Sequence, residues 1–128
     1  MTRAEIEVEA IINPTESVEK VETAVKNVIG TIQLTNIIRG DGALLRGYLN
    51  GIESLHFLKN LLKKIRIRDA ARAFFERASK GNILTFGFNR QAAYVGRVSF
   101  YRQREAALGP IQITIRGDVD QIIEYLCR

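Results

Sequence analysis

Three apolar runs toward the C-terminal end constrain the fold most, because no helical segment separates them. Residues Ile83 to Phe88, Ala92 to Tyr101 and Ile111 to Arg116 each have the composition of a β-strand. Parallel neighbours need a crossover of about a dozen residues or more, usually a helix, whereas only residues 89–91 join the first two runs. The sequence therefore predicts antiparallel strands in an α+β fold and excludes a doubly wound parallel sheet.

The N-terminal half adds two strands and a helix. Polar and apolar residues alternate from Glu5 to Ile11, as in a strand with one face on a core. Either Asn13 or Ser17 can cap a helix that ends at Gly30, and Thr31 to Ile38 has strand composition. These segments predict a strand, a helix and a second strand.

Helical periodicity returns in the middle of the chain and at its end. Apolar residues from Ile52 to Ile65 and from Ala70 to Ala78 indicate two helices, or one helix bent near Arg66 to Arg68. Residues Asp118 to Gln121 resemble a capping box that opens a last helix. The predicted order is β-α-β-α-α-β-β-β-α, with a mostly antiparallel sheet of about five strands packed against helices.

Length and composition limit the class of protein. The 128 residues fit a single α+β domain over residues 1–128, which can bury roughly two-thirds of its unfolded surface. No apolar run is long enough to cross a membrane and residues 1–5 lack the start of a signal peptide, so we expect a cytoplasmic protein without membrane contact. The single cysteine, Cys127, excludes an intramolecular disulfide.

Positive charge is concentrated in one segment. Residues 59–104 contain twelve Lys or Arg and two Asp or Glu, a net charge of +10, whereas residues 1–58 carry −3 and residues 105–128 carry −2. A basic segment between acidic flanks is typical of chains that bind polyanions. Folding decides whether these cations share one face.

Two basic ridges are predicted on the middle helices. Lys59, Lys63 and Arg66 follow helical spacing, and so do Lys64, Arg68 and Arg72. The ridges can bind phosphates, meet acidic residues of another chain, or form an ordinary solvated helix face. The candidate RNA-binding residues are Lys59, Lys63, Lys64, Arg66, Arg68, Arg90, Arg97, Arg102 and Arg104.

The residue types needed for catalysis are scarce. His56 is the one histidine and stands in a helical segment without a neighbouring nucleophile, so we interpret it as a residue on a helix flank. One His and one Cys do not make a metal site, and no cofactor fingerprint or small-molecule substrate site is evident. We interpret Glu5, Glu7 and Glu9 as a solvated strand edge. The prediction is a protein that is not an enzyme.

Several short segments have alternative interpretations. Phe86-Gly87-Phe88 and the run from Tyr94 to Tyr101 are faintly similar to the aromatic strands on which RNA-recognition motifs stack bases, although a chain without tryptophan needs most of its rings for the core. Asn89, Gln91 and Gly96 form either a hairpin turn or a recognition tip beside Arg90, and the turn is favoured.

Several motifs resemble those of a known family. They are Asn13-Pro14-Thr15-Glu16 with Lys20-Val21, the block from Phe88 to Phe100, and Leu108-Gly109-Pro110-Ile111. Together they resemble an archaea-specific family of uncharacterised proteins, number two hundred and one in its series, over nearly the whole chain. The resemblance implies a fold like that of the ribosomal large-subunit protein that carries 5S rRNA, an RNA-binding-like character and homodimers. It implies no reaction and no site residues.

Two hypotheses follow for function. The first is a noncatalytic domain that binds structured RNA through phosphate contacts. The second is a homodimeric protein-interaction module whose basic helices meet an acidic surface, such as the glutamate-bearing first strand of another copy, without binding RNA.

Overall fold

The computed structural model describes residues 2–102 and 108–128. Six strands form one sheet in the order β2-β3-β1-β6-β5-β4, and every neighbouring pair is antiparallel. The elements are β1 (Ala4–Ile12), α1 (Val18–Ile29), β2 (Thr35–Arg39), β3 (Gly42–Asn50), a short 3₁₀ helix (Ile52–Leu55), α2 (His56–Lys64), α3 (Arg68–Ala78), β4 (Ser79–Lys80), β5 (Ile83–Asn89), α4 (Arg90–Tyr94), β6 (Pro110–Gly117) and α5 (Val119–Cys127). The predicted α+β class and antiparallel sheet are confirmed, with six strands instead of about five.

Strand β1 lies in the middle of the sheet, between β3 and β6. Ile6 pairs with Leu49 on one side and with Ile115 on the other. Its even-numbered residues are buried, whereas its glutamates lie on the opposite face. The interpretation of these glutamates as a strand edge is therefore wrong, because both edges of β1 are hydrogen-bonded to neighbouring strands.

The core lies between the sheet and the helices. The buried face of the sheet contributes the even-numbered side chains of β1, the odd-numbered side chains Ile111 to Ile115 of β6 and Leu84, Phe86 and Phe88 of β5. The helices contribute apolar residues at helical spacing, among them Leu58 and Phe75. Each fully buried side chain of this size contributes about 1.5–3 kcal/mol to folding. The side chains on the other face of the sheet are mostly exposed or half-buried.

Helix α1 begins and ends where the sequence indicates. Ser17 is the N-cap and its hydroxyl accepts a hydrogen bond from the Lys20 backbone at 3.4 Å, so of the two possible caps Ser17 is used. Gly30 ends the helix at φ +90°, and a Cβ there would lie 2.9 Å from Cβ of Phe57. Both the left-handed conformation and the close packing require glycine.

The middle helical segment is two helices. Arg66 lies between α2 and α3 with φ +61°, a left-handed conformation that no other non-glycine residue adopts in the described chain. The backbone N–H groups of Arg66 and Ile67 bond to the carbonyls of Lys63 and Leu62, both at 3.2 Å. This tight turn places the end of α2 beside the start of α3.

The sheet region differs from the prediction in two places. Residues Gly42–Asn50, for which no element was predicted, form strand β3. The predicted strand from Ala92 to Tyr101 is instead the short helix α4 followed by an extended segment, in which Phe100 bridges Phe88. Asn89 therefore caps a helix, with its side-chain oxygen accepting from the Ala92 N–H at 3.0 Å, and does not stand in a tight hairpin turn.

Helix α5 is confirmed, but its N-terminus is held differently from the prediction. The Asp118 carboxylate makes no capping bond to the helix and accepts a hydrogen bond from the Arg3 backbone at 2.7 Å. The Gln121 side chain accepts from the Thr2 hydroxyl at 2.8 Å. These residues therefore join the N-terminal segment to α5 instead of forming a capping box.

Candidate functional site

The turn between α2 and α3 brings three of the predicted basic residues together. Lys63, Arg66 and Arg68 line one shallow depression of about 460 Å³, with Asp69 and Cys127. Three cations against one carboxylate leave this depression positively charged at neutral pH. The geometry suits an anion that approaches from solvent.

Three cations at this turn have no protein partner. Lys63, Lys64 and Arg66 are exposed, and none of their side chains forms a hydrogen bond or ion pair with a residue in the described part of the chain. Lys63 and Lys64 lie in the last turn of α2, where positive charge also stabilises the helix dipole by roughly 0.3–1 kcal/mol. The two lysine charges therefore stabilise α2 and remain available to a ligand.

The remaining ridge residues contact α5 and its end. The Lys59 ammonium lies 5.5 Å from the centre of the Tyr125 ring. Arg68 donates to the Arg128 carbonyl at 3.0 Å, and Arg72 forms an ion pair with Glu124 at 3.2 Å. The outer parts of both predicted ridges therefore help to attach the helices to one another, and the free charge is concentrated near the turn.

Arg90 lies in the interior, with 4% of its surface exposed. Its Nη1 donates to both oxygens of the Glu16 carboxylate, at 2.9 and 3.1 Å, and to the Ile11 carbonyl at 2.6 Å. Its Nε and Nη2 donate to the carbonyls of Gly109 and Pro110 at 2.6 and 3.1 Å. Placing Arg90 among surface RNA contacts was therefore wrong, because its donors are used inside the protein. We name this arrangement the Arg90 clamp.

Neither Arg97 nor Arg102 is among the residues that line the depression. Arg97 is exposed in the turn after α4, which packs against α1. Arg102 is exposed beyond the Phe100 bridge. Arg104 lies outside the described residues. The basic segment is thus divided among a surface at the α2–α3 turn, an interior clamp and separate exposed arginines.

Aromatic rings do not form a base-stacking platform on β5. Phe86 and Phe88 are 4% and 0% exposed. With Phe74, Phe75 and Phe100 they make edge and stacked contacts at ring-centre distances from 4.2 to 6.4 Å. The similarity to RNA-recognition motifs at this strand is therefore wrong, since bases stack on exposed rings.

A pair of carboxylates on β1 shares a hydrogen bond. That bond raises the pKa of Glu7, and partial burial raises it further. The same bond lowers the pKa of Glu9, and the hydrogen bond and charge of Arg46 lower it further against the opposing effect of burial. Arg46 donates to Glu9 at 2.9 Å. The two acids lie on the face of the sheet opposite the helices, and the hydrogen bond between them is the main cause of both pKa shifts.

Groups suited to nucleophilic or metal chemistry are not assembled in the described chain. Burial raises the pKa of the Cys127 thiol to about 11, so the thiol is protonated at neutral pH. His56 is exposed and its Nε2 lies 2.9 Å from the Asn60 amide. Within residues 2–102 and 108–128, no cluster of three or more His, Cys, Asp or Glu could hold a metal ion.

None of the helices in the described ranges combines the length and apolar character needed to span a membrane.

Comparisons with known proteins give one consistent result. A family model described as RNA binding matches residues 5–117. A UPF0201 protein of Thermococcus onnurineus is 38% identical over 123 residues, which cover 95% of this chain and 90% of that relative. A UPF0201 protein of Sulfolobus acidocaldarius is 37% identical over 116 residues, which cover 90% and 79%.

A solved structure has the same fold. The crystal structure of a UPF0201 protein from Methanococcus jannaschii matches with a TM-score of 0.87 at 32% sequence identity, covering 97% of this chain and 99% of that one. The likeness therefore extends over almost the full length of both chains.

Proposed function

The chain belongs to the UPF0201 family, and from that premise we propose that it is a noncatalytic protein that binds structured RNA at the α2–α3 turn. The observation that carries the proposal is the convergence of Lys63, Arg66 and Arg68 on one depression. The description of the matching family model, RNA binding, supports the same function.

The contacts expected at this surface are to phosphates. Lysine and arginine side chains that lack protein partners neutralise backbone charge and release counterions from the nucleic acid. Exposed aromatic rings are the other common means of RNA recognition, and no aromatic residue is among those that line the depression at the turn. Binding therefore depends on RNA shape and charge, with little selectivity for base sequence.

Charge reversal at the turn tests the proposal. Lys63→Glu combined with Lys64→Glu is expected to lower affinity for an RNA hairpin of about 20 base pairs by about 10-fold or more at low salt. The control carries the same change in net charge on exposed lysines elsewhere, Lys26→Glu with Lys80→Glu. Fluorescence anisotropy measures both, and circular dichroism verifies that each variant is folded. Equal losses in the two double variants would contradict a localised surface.

A homodimer is the second candidate, and the sheet face opposite the helices favours it. Tyr48 and Ile11 on this face are 64% and 65% exposed. Glu5 on β1 lies opposite Arg116 on β6, so the same face carries both signs of charge. Exposed apolar side chains among mixed charges are typical of protein-interaction surfaces.

Sedimentation equilibrium tests both candidates, with Lys63→Glu and Lys64→Glu at the turn and Tyr48→Glu on the sheet face. A dimer that forms through the sheet face is expected to dissociate in the Tyr48→Glu variant, and an unchanged association state would exclude it. If Lys63→Glu with Lys64→Glu dissociates a dimer and leaves RNA affinity unchanged, the basic turn contacts protein and the RNA proposal fails. If the variant loses RNA affinity and keeps its association state, the RNA proposal stands and the dimer does not depend on this turn.

A further inference from the structure

The sheet face opposite the helices contains a concave region. Its volume is about 370 Å³, within the range of roughly 300–1,000 Å³ for pockets that hold small ligands. Leu44 on this face is only 5% exposed, although no described helix covers it. The surrounding side chains therefore stand above Leu44 and form the walls of a pocket.

The floor of the pocket is apolar and comes from three neighbouring strands. Ile11 of β1 is the register partner of Leu44 of β3, and both side chains line the pocket. Pro110 at the start of β6 extends the same floor. Contact with these side chains removes apolar surface of a ligand from water, which is the main source of affinity for small ligands.

The rim is polar and carries one excess positive charge. Arg46 is paired with Glu9 at 2.9 Å, so these two charges compensate each other. Arg39 also lines the pocket; its charge lowers the pKa of Glu9, but its guanidinium forms no hydrogen bond or ion pair with a residue in the described ranges of the chain. The Gln112 side chain, exposed at the rim, is likewise without a partner there. Arg90 contributes to the wall, but the clamp already uses its donors.

We propose that this pocket binds a small organic monoanion, an apolar body of about one ring that carries a single carboxylate. The body lies on Ile11, Leu44 and Pro110, and the guanidinium of Arg39 binds the carboxylate. One unpaired cation matches one negative charge, and the Glu9 carboxylate in the rim repels a second. The ligand site is separate from the proposed RNA surface, because α2 and α3 pack on the opposite face of the sheet.

Titration with phenylacetate tests the proposal. In two-dimensional NMR of the labelled full chain, phenylacetate is expected to shift the amide resonances of residues lining the pocket, with a dissociation constant of about 0.1–1 mM. Phenylacetamide has the same shape without the charge, and its affinity is expected to be at least about 10-fold lower. Uridine monophosphate supplies a ring with a phosphate, and weaker binding than phenylacetate is expected.

Variants locate the site. Arg39→Gln should weaken phenylacetate binding by about 10-fold, whereas Arg116→Gln, on the same face outside the pocket, should leave it unchanged. Ile11→Glu places a second carboxylate on the exposed floor and should abolish binding. Thermal denaturation of each variant verifies that loss of binding is not loss of fold.

Each other outcome overturns the inference. Absence of shifts at millimolar phenylacetate, or shifts that map outside the pocket, would remove the site. Binding that survives Arg39→Gln would show that the unpaired guanidinium does not hold the anion. Tighter binding of uridine monophosphate than of phenylacetate would overturn the monocarboxylate assignment in favour of a phosphate ligand.

Discussion

The Arg90 clamp and the α2–α3 turn use the same kind of charge in opposite ways. Arg90 is 4% exposed and its donors bond to Glu16 and to three backbone carbonyls. Lys63, Lys64 and Arg66 are exposed and lack partners in the described chain. A buried cation is retained only with full compensation, whereas exposed cations remain available to a ligand. Position in the fold, and not residue type, separates a stabilising charge from a binding charge.

The largest expected effect is on the clamp. Arg90→Ala leaves the Glu16 carboxylate without its ion-pair partner and three carbonyls without their donor, and should lower the free energy of unfolding by about 3–5 kcal/mol. Chemical denaturation measures it. Arg97→Ala, an exposed arginine nearby in the chain, should change stability by less than about 0.5 kcal/mol. Similar small losses in both variants would remove the distinction between clamp and surface.

The second-largest effect is expected on the salt dependence of RNA binding, in variants of the α2–α3 turn. Neutralising Lys63, Lys64 and Arg66 together, each to Gln, should lower RNA affinity and reduce the slope of log affinity against log salt by about one per residue in contact. The stability of the fold should change little, because these side chains have no partners to lose. An unchanged slope, measured by anisotropy at several salt concentrations, would mean that the phosphate contacts lie elsewhere.

A smaller effect on stability is expected at the N-cap of α4, the helix that carries Arg90. Asn89 caps α4, the helix that begins with Arg90, through a hydrogen bond of 3.0 Å to the Ala92 N–H. Asn89→Ala should therefore lower the free energy of unfolding by about 1 kcal/mol. Gln91→Ala in the exposed first turn is the matched control and should be close to neutral. If Asn89→Ala and Gln91→Ala are equally stable, the Asn89 cap does not stabilise α4, and the position of Arg90 does not depend on it.

The smallest expected effect separates stability from binding at a single residue. Arg66 is in the left-handed region at φ +61°, where a side chain is strained, so Arg66→Gly should raise the free energy of unfolding by about 0.5 kcal/mol while it weakens RNA binding. Lys64→Gly, in the last turn of α2, should instead destabilise the fold by about 1 kcal/mol. Destabilisation by Arg66→Gly would indicate that its side chain stabilises the turn.

Much of the fold could be predicted because local patterns coincide with the final environment. The alternation in β1 and the caps of α1 depend on residues close in sequence, and they were identified. Strand β3 was missed because Gly47 interrupts its apolar alternation. A Cβ on Gly47 would lie 2.8 Å from the Gln33 carbonyl oxygen, so glycine is required by a neighbour that the local pattern does not reveal.

The two helices of the basic surface were predicted, but the fate of Arg90 was not. Its partners lie 19 to 79 residues away in sequence, at Gly109, Pro110, Glu16 and Ile11. Asn89 was interpreted as part of a turn because caps and turns favour the same residue types. Burial of an arginine depends on tertiary contacts, and a count of charges along the chain contains no information about them.

The Arg90–Glu16 pair also has a consequence for heat tolerance. The free-energy cost of taking charges out of water falls as temperature rises, whereas the apolar contribution per unit area levels off. A buried, fully bonded pair of this kind therefore accounts for a growing share of stability in hot solution. Arg90 joins the end of β1, the segment before α1 and the start of β6. Its contacts therefore contribute their largest share of the stability of the fold at high temperature.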